Sequence, residues 1–450
     1  MSAGADGAGG SQDPSAHDPL STSKSTTQEG KLERASFPDQ PRSPGKALPA
    51  TYENFRHLLD GFGIKVRFNL VKKRVDVTIP GLKTGRQNRD EVVLASLESL
   101  LHRHEMSTGS IRSYLLLLAD QHPYDPFAEW VDSKPWDGTS RLPEFYETLV
   151  PVEDYSLELR DVLMRKWLLS IVAATFKKRG FRCRGVLTLQ GAQGLGKTTW
   201  IARLVTPLKL REQVVKLGHS WDRGQKDAKL SAIRHRIVEL GELEGSFKSQ
   251  MPALKAFITE TEDKIRPPYG RVEAEYPRTT IFAASVNDAQ FLQDTTGNSR
   301  FWTIALKQID YQHSIDMQQL FAEAKVLFED GEEWWLNREE DAQLEQVNQT
   351  HRVKGTIETL IIDAIDPSRE ASWEGDRLTA NEVLAQLGYD KPTNAQSKEA
   401  NVALRALLGE PKRVRGQNRW FVLWKDRKQH RPAHQQVDVE DDDDEDDDLY

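Results

Sequence analysis

Two neighbouring runs alternate apolar and polar residues, Ile64-Lys-Val-Arg-Phe-Asn-Leu70 and Arg74-Val-Asp-Val-Thr-Ile79. Period-two alternation is the mark of a strand with one face on a core. The Lys72-Lys73 turn between the runs makes them a hairpin. Ahead of it, Phe55, Leu58 and Leu59 are spaced for a short helix, and behind it helical patterns run near 90–104 and 110–121. The spacing predicts a small α+β module over 49–145. Its last stretch, Asp125 to Leu142, reads as a helix, a break at Pro135 and a turn at Asp137-Gly138, with Trp130 and Trp136 as packing residues. From Leu157 to Lys178 the period becomes helical, and Leu163, Trp167, Leu168, Ile171 and Val172 recur on one face. This predicts a helical collar or linker over 146–180.

A different pattern begins at Gly185. The runs GVLTLQ (185–190), RIVEL (236–240) and TTIFAASV (279–286) are apolar without alternation, as strands covered on both faces are. Helical patterns at Thr198–Val205, Lys226–Arg234 and Gln250–Thr259 separate them. Strands alternating with helices predict an α/β core with a parallel sheet, placed at 181–350, its last part (306–350) helical. From Gly355 a further small domain runs to 428. It holds a helix with a start signal at Thr379 and a stop signal at Gly388, a second helix at Ser397–Leu408 and a basic hairpin at 412–423. Helix, helix and basic hairpin form a winged-helix-like arrangement.

The chemistry concentrates after the first core strand. Gly191 to Thr198 reads G-A-Q-G-L-G-K-T and fits the phosphate-loop pattern G-x-x-x-x-G-K-[ST]. The candidate nucleotide-binding residues are Gly191, Ala192, Gln193, Gly194, Leu195, Gly196, Lys197, Thr198 and Thr199. The glycines let backbone N–H groups point at phosphate oxygens, Lys197 reaches the β- and γ-phosphates, and the Thr198 hydroxyl sits on Mg²⁺. The second core strand ends in acids, as a Walker B element does. Glu239 and Glu242, with Glu244 behind them, are candidates for holding the metal and polarising the attacking water, in an order left open. Asn287 ends the third strand, where a polar side chain can sense the γ-phosphate. Arg300 follows in a Gly-Asn loop anchored by Phe301-Trp302, which suits delivery into a neighbour's site. The ligands expected are ATP and Mg²⁺.

Composition adds bounds. No run approaches the roughly 18 apolar residues of a membrane span, and the first residues lack the pattern of a secretion signal. A cytoplasmic protein is expected. The single cysteine, Cys183, excludes an internal disulfide and reads as a core thiol. Residues 1–48 and 429–450 are expected to be disordered on composition. The net charge of −8 is set by ten acidic residues between Asp438 and Asp448, so the remainder carries +2. That tail reads as a solubility device, a DNA mimic competing for basic surfaces, or a contact for a replication protein. Lys65, Arg67, Lys72, Lys73 and Arg74 fit a solvated strand face better than a nucleic-acid contact. Lys264, Arg266 and Arg271 flank a Pro-Pro-Tyr-Gly turn and form a basic hairpin tip. Arg413, Arg415 and Arg419 in the last hairpin read either as phosphate contacts or as part of a packing module between subunits.

Several blocks together resemble one family: WDGTSRL at 136–142, LQGAQGLGKTT at 189–199, IVELGELE at 237–244, LKAFITETEDKIRPPYGR at 254–271, TIFAASVN at 280–287 and DTTGNSRFW at 294–302. They look like the virulence-associated protein E (VapE-like) family of phage- and island-encoded ATPases related to superfamily 3 helicases and viral primase-helicases. The resemblance runs from about Tyr52 to Arg352. It implies a P-loop AAA+-type core with 306–350 as a lid packed on it, assembly as a homo-oligomeric ring (a hexamer), and ATP-driven work on single-stranded or forked DNA inside a bacterial cell. By the family pattern Lys197 and Thr198 bind nucleotide and Mg²⁺, Glu239 and Glu242 form Walker B, Asn287 is the sensor and Arg300 acts in trans. The segment from Lys255 to Arg271 resembles the hairpin that contacts DNA in the ring channel. No upstream primase domain is expected, because no zinc-ligand cluster or carboxylate triad is visible. The leading expectation is therefore a replicative helicase or translocase. The alternative is a loader or nucleotide switch acting on another replication protein without unwinding. A small-molecule kinase is disfavoured, because no acceptor-binding segment is evident.

Overall fold

The computed structural model of the chain describes residues 30–85, 87–177, 180–220, 226–241, 251–265, 274–288, 291–292, 298–351, 355–368 and 376–425. They form two compact units. One holds 30–135 with Pro207–Val214 and Ile233–Arg236; the other holds Trp136–Thr206, Val215–Ala232 and 237–425. The architecture is mixed α/β, with fifteen α-helices and several sheets among the described residues.

The first unit opens with α1 (Tyr52–Gly61), which starts where the Thr51 side chain accepts from the Asn54 N–H. The hairpin β1 (Lys65–Asn69) and β2 (Arg74–Thr78) follows, antiparallel, with Lys73 in the left-handed region at φ 54. Then come α2 (Arg89–Arg103), α3 (Ile111–Asp120), β3 (Pro123–Tyr124), parallel to β1, and α4 (Pro126–Val131). Phe55, Leu58, Val66, Leu97, Leu101 and Leu118 share one core. Residues 30–48 correct the expectation of disorder. Phe37 and Leu48 are buried in this core, and the Asn54 side-chain amide donates to the carbonyls of Asp39 and Pro49. A few well-placed anchors order a polar stretch when a ready-made core receives them, and average composition does not register them. Arg236 is buried in this unit as an ion pair with Asp125, whose carboxylate also caps α4.

In the second unit α5 (Leu142–Glu147), β4 (Leu149–Pro151) and α6 (Leu157–Phe176) precede β5 (Val186–Gln190) and α7 (Lys197–Arg203). After α8 (Leu208–Val214), which belongs to the first unit, come β6 (Val215–His219), α9 (Lys226–Ile233) and β7 (Ile237–Leu240). Then follow α10 (Met251–Ile258), the antiparallel pair β8 (Glu262–Ile265) and β9 (Ala274–Pro277), β10 (Ile281–Val286) and β11 (Phe301–Ile309). The main sheet has the order β4-β11-β5-β10-β7-β6, and all its neighbours are parallel except β4 on β11. α11 (Met317–Glu329) and α12 (Arg338–Thr350) complete this layer.

Three findings here differ from the sequence reading. α6 is buried around its circumference, and the Trp167 indole N–H donates to the Phe282 carbonyl at 2.8 Å, so it is interior support for the sheet rather than a linker. Residues 301–309 form a strand, although Phe301-Trp302 read as loop anchors and a helical stretch was expected from 306. β11 is buried on both faces, which removes the alternation that would have revealed it. The 136–142 stretch belongs with this unit. Buried Glu323 on α11 accepts from the Ser140 hydroxyl (2.5 Å) and the Arg141 N–H (2.8 Å), and the Gln319 amide oxygen accepts from the Asp137 N–H (2.9 Å).

The last domain runs α13 (Thr356–Ala364), β12 (Asp376–Leu378), α14 (Ala380–Gln386), α15 (Asn394–Leu408), β13 (Lys412–Val414) and β14 (Gln417–Val422). Its sheet has the order β12-β14-β13. Thr379 with Glu382, and Thr393 with Gln396, form capping boxes at the starts of α14 and α15. The core contains Ile361, Val383, Leu384, Leu404 and Trp420.

The base of the β8–β9 pair is tied by Arg278, which is 1% exposed. Its guanidinium donates to both carboxylate oxygens of Asp263 (2.9 and 2.6 Å) and to Glu260 (3.3 Å), and lies 4.2 Å from the centre of the Phe257 ring. Arg278→Met leaves the Asp263 carboxylate buried and uncompensated, which costs about 3–5 kcal/mol. Urea unfolding should show that loss, and the double variant with Asp263→Leu should recover most of it.

Candidate functional site

β5, β10 and β7 lie side by side and parallel, so their carboxyl ends reach the same edge of the sheet. Open parallel sheets place their ligands at that edge. From β5 the chain passes through 191–196 into α7. Gly194 and Gly196 adopt φ +88 and +90, which side-chain-bearing residues rarely do. The Lys197 side chain, 6% exposed, turns back over this loop. Its Nζ donates to the carbonyls of Gly191 (2.6 Å) and Ala192 (2.9 Å) and to the Asn287 Oδ1 (2.9 Å).

Beside it stands Glu239, on β7 and 1% exposed. Its Oε1 accepts from the hydroxyls of Thr198 and Ser285, each at 2.5 Å, and its Oε2 accepts from the Gly218 N–H at 3.1 Å. Donors from α7, β10 and β6 therefore converge on one buried carboxylate, as a buried charge requires. The structure thus brings together Lys197, Thr198, Glu239 and Asn287. Sequence reasoning missed Ser285 and Gly218. Ser285 could have been found, since it is two residues before Asn287 and residues i and i+2 share a strand face. Gly218 contributes its backbone N–H from a left-handed conformation, φ 58, that favours glycine, so the residue type was a signal only for the backbone and not for the contact. An ammonium over a loop with left-handed glycines suits phosphate oxygens, and hydroxyl and carboxylate donors suit a hard divalent cation.

Other candidates are placed elsewhere. Arg300 ends a short 3₁₀ turn at the amino end of β11, whereas Lys197 follows the carboxyl end of β5. That turn is held by Asn298, which accepts from buried Lys255 (Oδ1, 3.2 Å) and from Asn348 (backbone O, 2.9 Å). Lys264 is exposed on β8 and pairs with Glu275 across the strands at 2.7 Å. Arg413 is exposed on β13 and Arg415 at the β13–β14 turn, where it has φ 50. Arg419 is engaged within the last domain, donating to both Glu382 carboxylate oxygens at 3.0 Å and to the Arg377 carbonyl at 2.7 Å. Glu242, Glu244, Arg266, Arg271 and the acidic tail lie outside the described residues.

Residues 131–353 match the family model of the Virulence-associated protein E-like domain. The chain carries a Virulence-associated protein E-like domain. Lys197, Thr198, Glu239, Ser285 and Asn287 all lie within it. The chain is also similar to solved structures of the NrS-1 C-terminal region. One is an apo A form, at 14% identity and TM-score 0.35, covering 82% of this chain and 98% of that one. Another is the apo structure of NrS-1 residues 305–718, at 15% identity and TM-score 0.35 with the same coverage. Comparison with curated protein sequences gives no match. Among the described residues no helix is long and apolar enough to cross a membrane.

Two predictions follow from the geometry of the Virulence-associated protein E-like domain. Glu239→Gln presents an amide NH₂ to donors that need an acceptor, and should destabilise the fold by about 1–3 kcal/mol in thermal melts. The second concerns His219, at the end of β6. Burial, helped by the charge of Lys216, pushes its imidazole down to about 4. Unfolded, the ring takes a proton near its ordinary value of about 6.5. Between those values the unfolded chain holds more protons, so stability is full above about 6.5 and falls as the pH drops towards 4. His219→Phe should therefore lose less of its urea midpoint than the parent between pH 7 and 5.

Proposed function

We propose that this chain is an ATP-hydrolysing motor working on single-stranded or forked DNA as a homo-oligomeric ring. In this reading it has a P-loop core of AAA+ type and a winged-helix-like domain at residues 355–425. One observation carries the reading: Lys197 meets Asn287, and Thr198 meets Glu239 and Ser285, at one edge of a parallel sheet. The loop N–H groups and Lys197 would hold the β- and γ-phosphates of ATP, and Thr198 and Glu239 would hold Mg²⁺. When bound, the metal ion neutralises charge on the transferring phosphoryl group. Asn287 keeps the lysine ammonium in line with the loop. Glu239 already accepts from three donors, which favours an orienting role over that of a proton acceptor.

Arg300 stands at the opposite edge of the sheet from Lys197. A cation there cannot serve its own subunit's phosphates, but it suits delivery to a neighbour's. In the last domain, α13-β12-α14-α15-β13-β14 with sheet order β12-β14-β13 supports the winged-helix reading. Lys398 and Arg405 are exposed on α15, Arg405 within 3.7 Å of Glu410, and with Arg413 on β13 and Arg415 at the turn they would offer cations to phosphates. Arg419, bound by Glu382, orients that hairpin instead.

The test is ATP hydrolysis with and without single-stranded DNA, beside native mass. DNA should stimulate the wild-type oligomer. Lys197→Ala should abolish turnover, and Arg300→Ala should lower it by about 10³-fold or more while ATP still binds. Mixing the two inactive variants should restore part of the activity, because some interfaces then hold both intact residues. A monomer with DNA-insensitive hydrolysis overturns the motor. An oligomer whose hydrolysis ignores DNA favours the loader or switch.

A further inference from the structure

The two sides of the 191–196 loop differ. β5 lies between β10 and β11 in the sheet. Asn287, Ser285 and Glu239 all stand on the β10 and β7 side. On the β11 side the chain leaves the strand and turns through 310–316, and there Tyr311 meets the loop. A Cβ on Gly196 would lie 2.2 Å from the Tyr311 Cδ1 and 2.7 Å from its Cε1, so the ring rests against the glycine backbone. The ring is half-buried.

The turn that carries it is pinned. The Asp310 N–H donates to the Thr148 carbonyl (2.8 Å), the Gln312 N–H donates to Asp310 Oδ1 (3.0 Å), and the indole N–H of Trp200, on α7, donates to the Thr148 hydroxyl (2.9 Å). Beside the turn lies a cavity of about 440 Å³ lined by Glu144, Thr148, Asp310, Gln312 and His313.

We infer that Tyr311 is the surface on which the base of the bound nucleotide stacks. The inference rests on the nucleotide reading above. If a phosphate chain lies along 191–198, its reactive end must face Asn287 and Glu239. The nucleoside end then leaves the loop on the opposite side, over β11. The aromatic ring held against the loop on that side is Tyr311. Every base has a π-face, so an aromatic wall binds it without needing a particular hydrogen-bond pattern. The carboxylates and carbonyls of the neighbouring cavity can accept from an exocyclic amine, which favours adenine over a base lacking one.

The experiment compares ATP with inorganic tripolyphosphate, which has the phosphates but no base. Binding of each, with Mg²⁺, is measured by calorimetry on the full chain and on Tyr311→Phe, Tyr311→Leu and Tyr311→Ala. The Leu and Ala variants should bind ATP about tenfold or more weakly and should keep the wild-type affinity for tripolyphosphate. The Phe variant should match wild type for both ligands. Leu or Ala variants that bind ATP as tightly as wild type overturn the inference and leave the nucleotide reading standing. Parallel loss of ATP and tripolyphosphate also overturns it, because the ring then only shapes the loop. A folded wild type that binds neither ligand refutes the nucleotide reading and the inference with it.

Discussion

A carboxylate cannot be buried without donors to meet its lone pairs, and the centre of the Virulence-associated protein E-like domain depends on meeting that condition at Glu239. The donors come from three elements: Thr198 at the start of α7, Ser285 near the end of β10 and the backbone of Gly218 in β6. They converge because β6, β7, β10 and β5 are adjacent and parallel, and because the β6–β7 register shifts between Lys216 and His219, where Gly218 lies. Insertion of β10 between β5 and β7 also puts Asn287 within 2.9 Å of the Lys197 ammonium. Sheet order and site chemistry are therefore one constraint, since a slip of one residue in β10 would turn Ser285 and Asn287 to the other face.

The opposite edge of the sheet is organised around cations. Arg278 ties the base of the β8–β9 pair to buried Asp263, and Lys255 on α10 reaches Asn298 beside Arg300. Asn348 on α12 bridges the carbonyls of Asn298 and Phe301. The segments before β10 and β11 are thus held by buried polar contacts that join α10, α12 and the 3₁₀ turn. In the proposed motor this edge would face the neighbouring subunit and the DNA, while the carboxyl edge holds the nucleotide.

Much was legible in the sequence, and the gaps have physical causes. The β1–β2 hairpin could be read because one of its faces is solvated and the alternation survives. β11 could not, because burial on both faces leaves a plain apolar run, and it follows a loop that drew attention to Arg300 instead. The helix over 157–176 was legible as a helix, but its burial on all sides was not. Ser285 sat inside an apolar strand and passed as filler, and Gly218 acts through a backbone N–H whose left-handed setting, φ 58, only the folded strand shows. Arg419 looked like its neighbours Arg413 and Arg415, and only the approach of Glu382 from α14 separates it from them.

By itself the sequence determined the local elements, from the phosphate-loop pattern at 191–198 to the helix start signal at Thr379. These depend on residues within one or two turns of each other. The tertiary structure alone decided which of the acids, hydroxyls and cations meet. It placed Lys197 with Asn287, gathered three donors onto Glu239, sent Arg300 to the far edge and brought Tyr311 against Gly196. Those meetings follow from strand order and register, which are set by burying many apolar side chains at once.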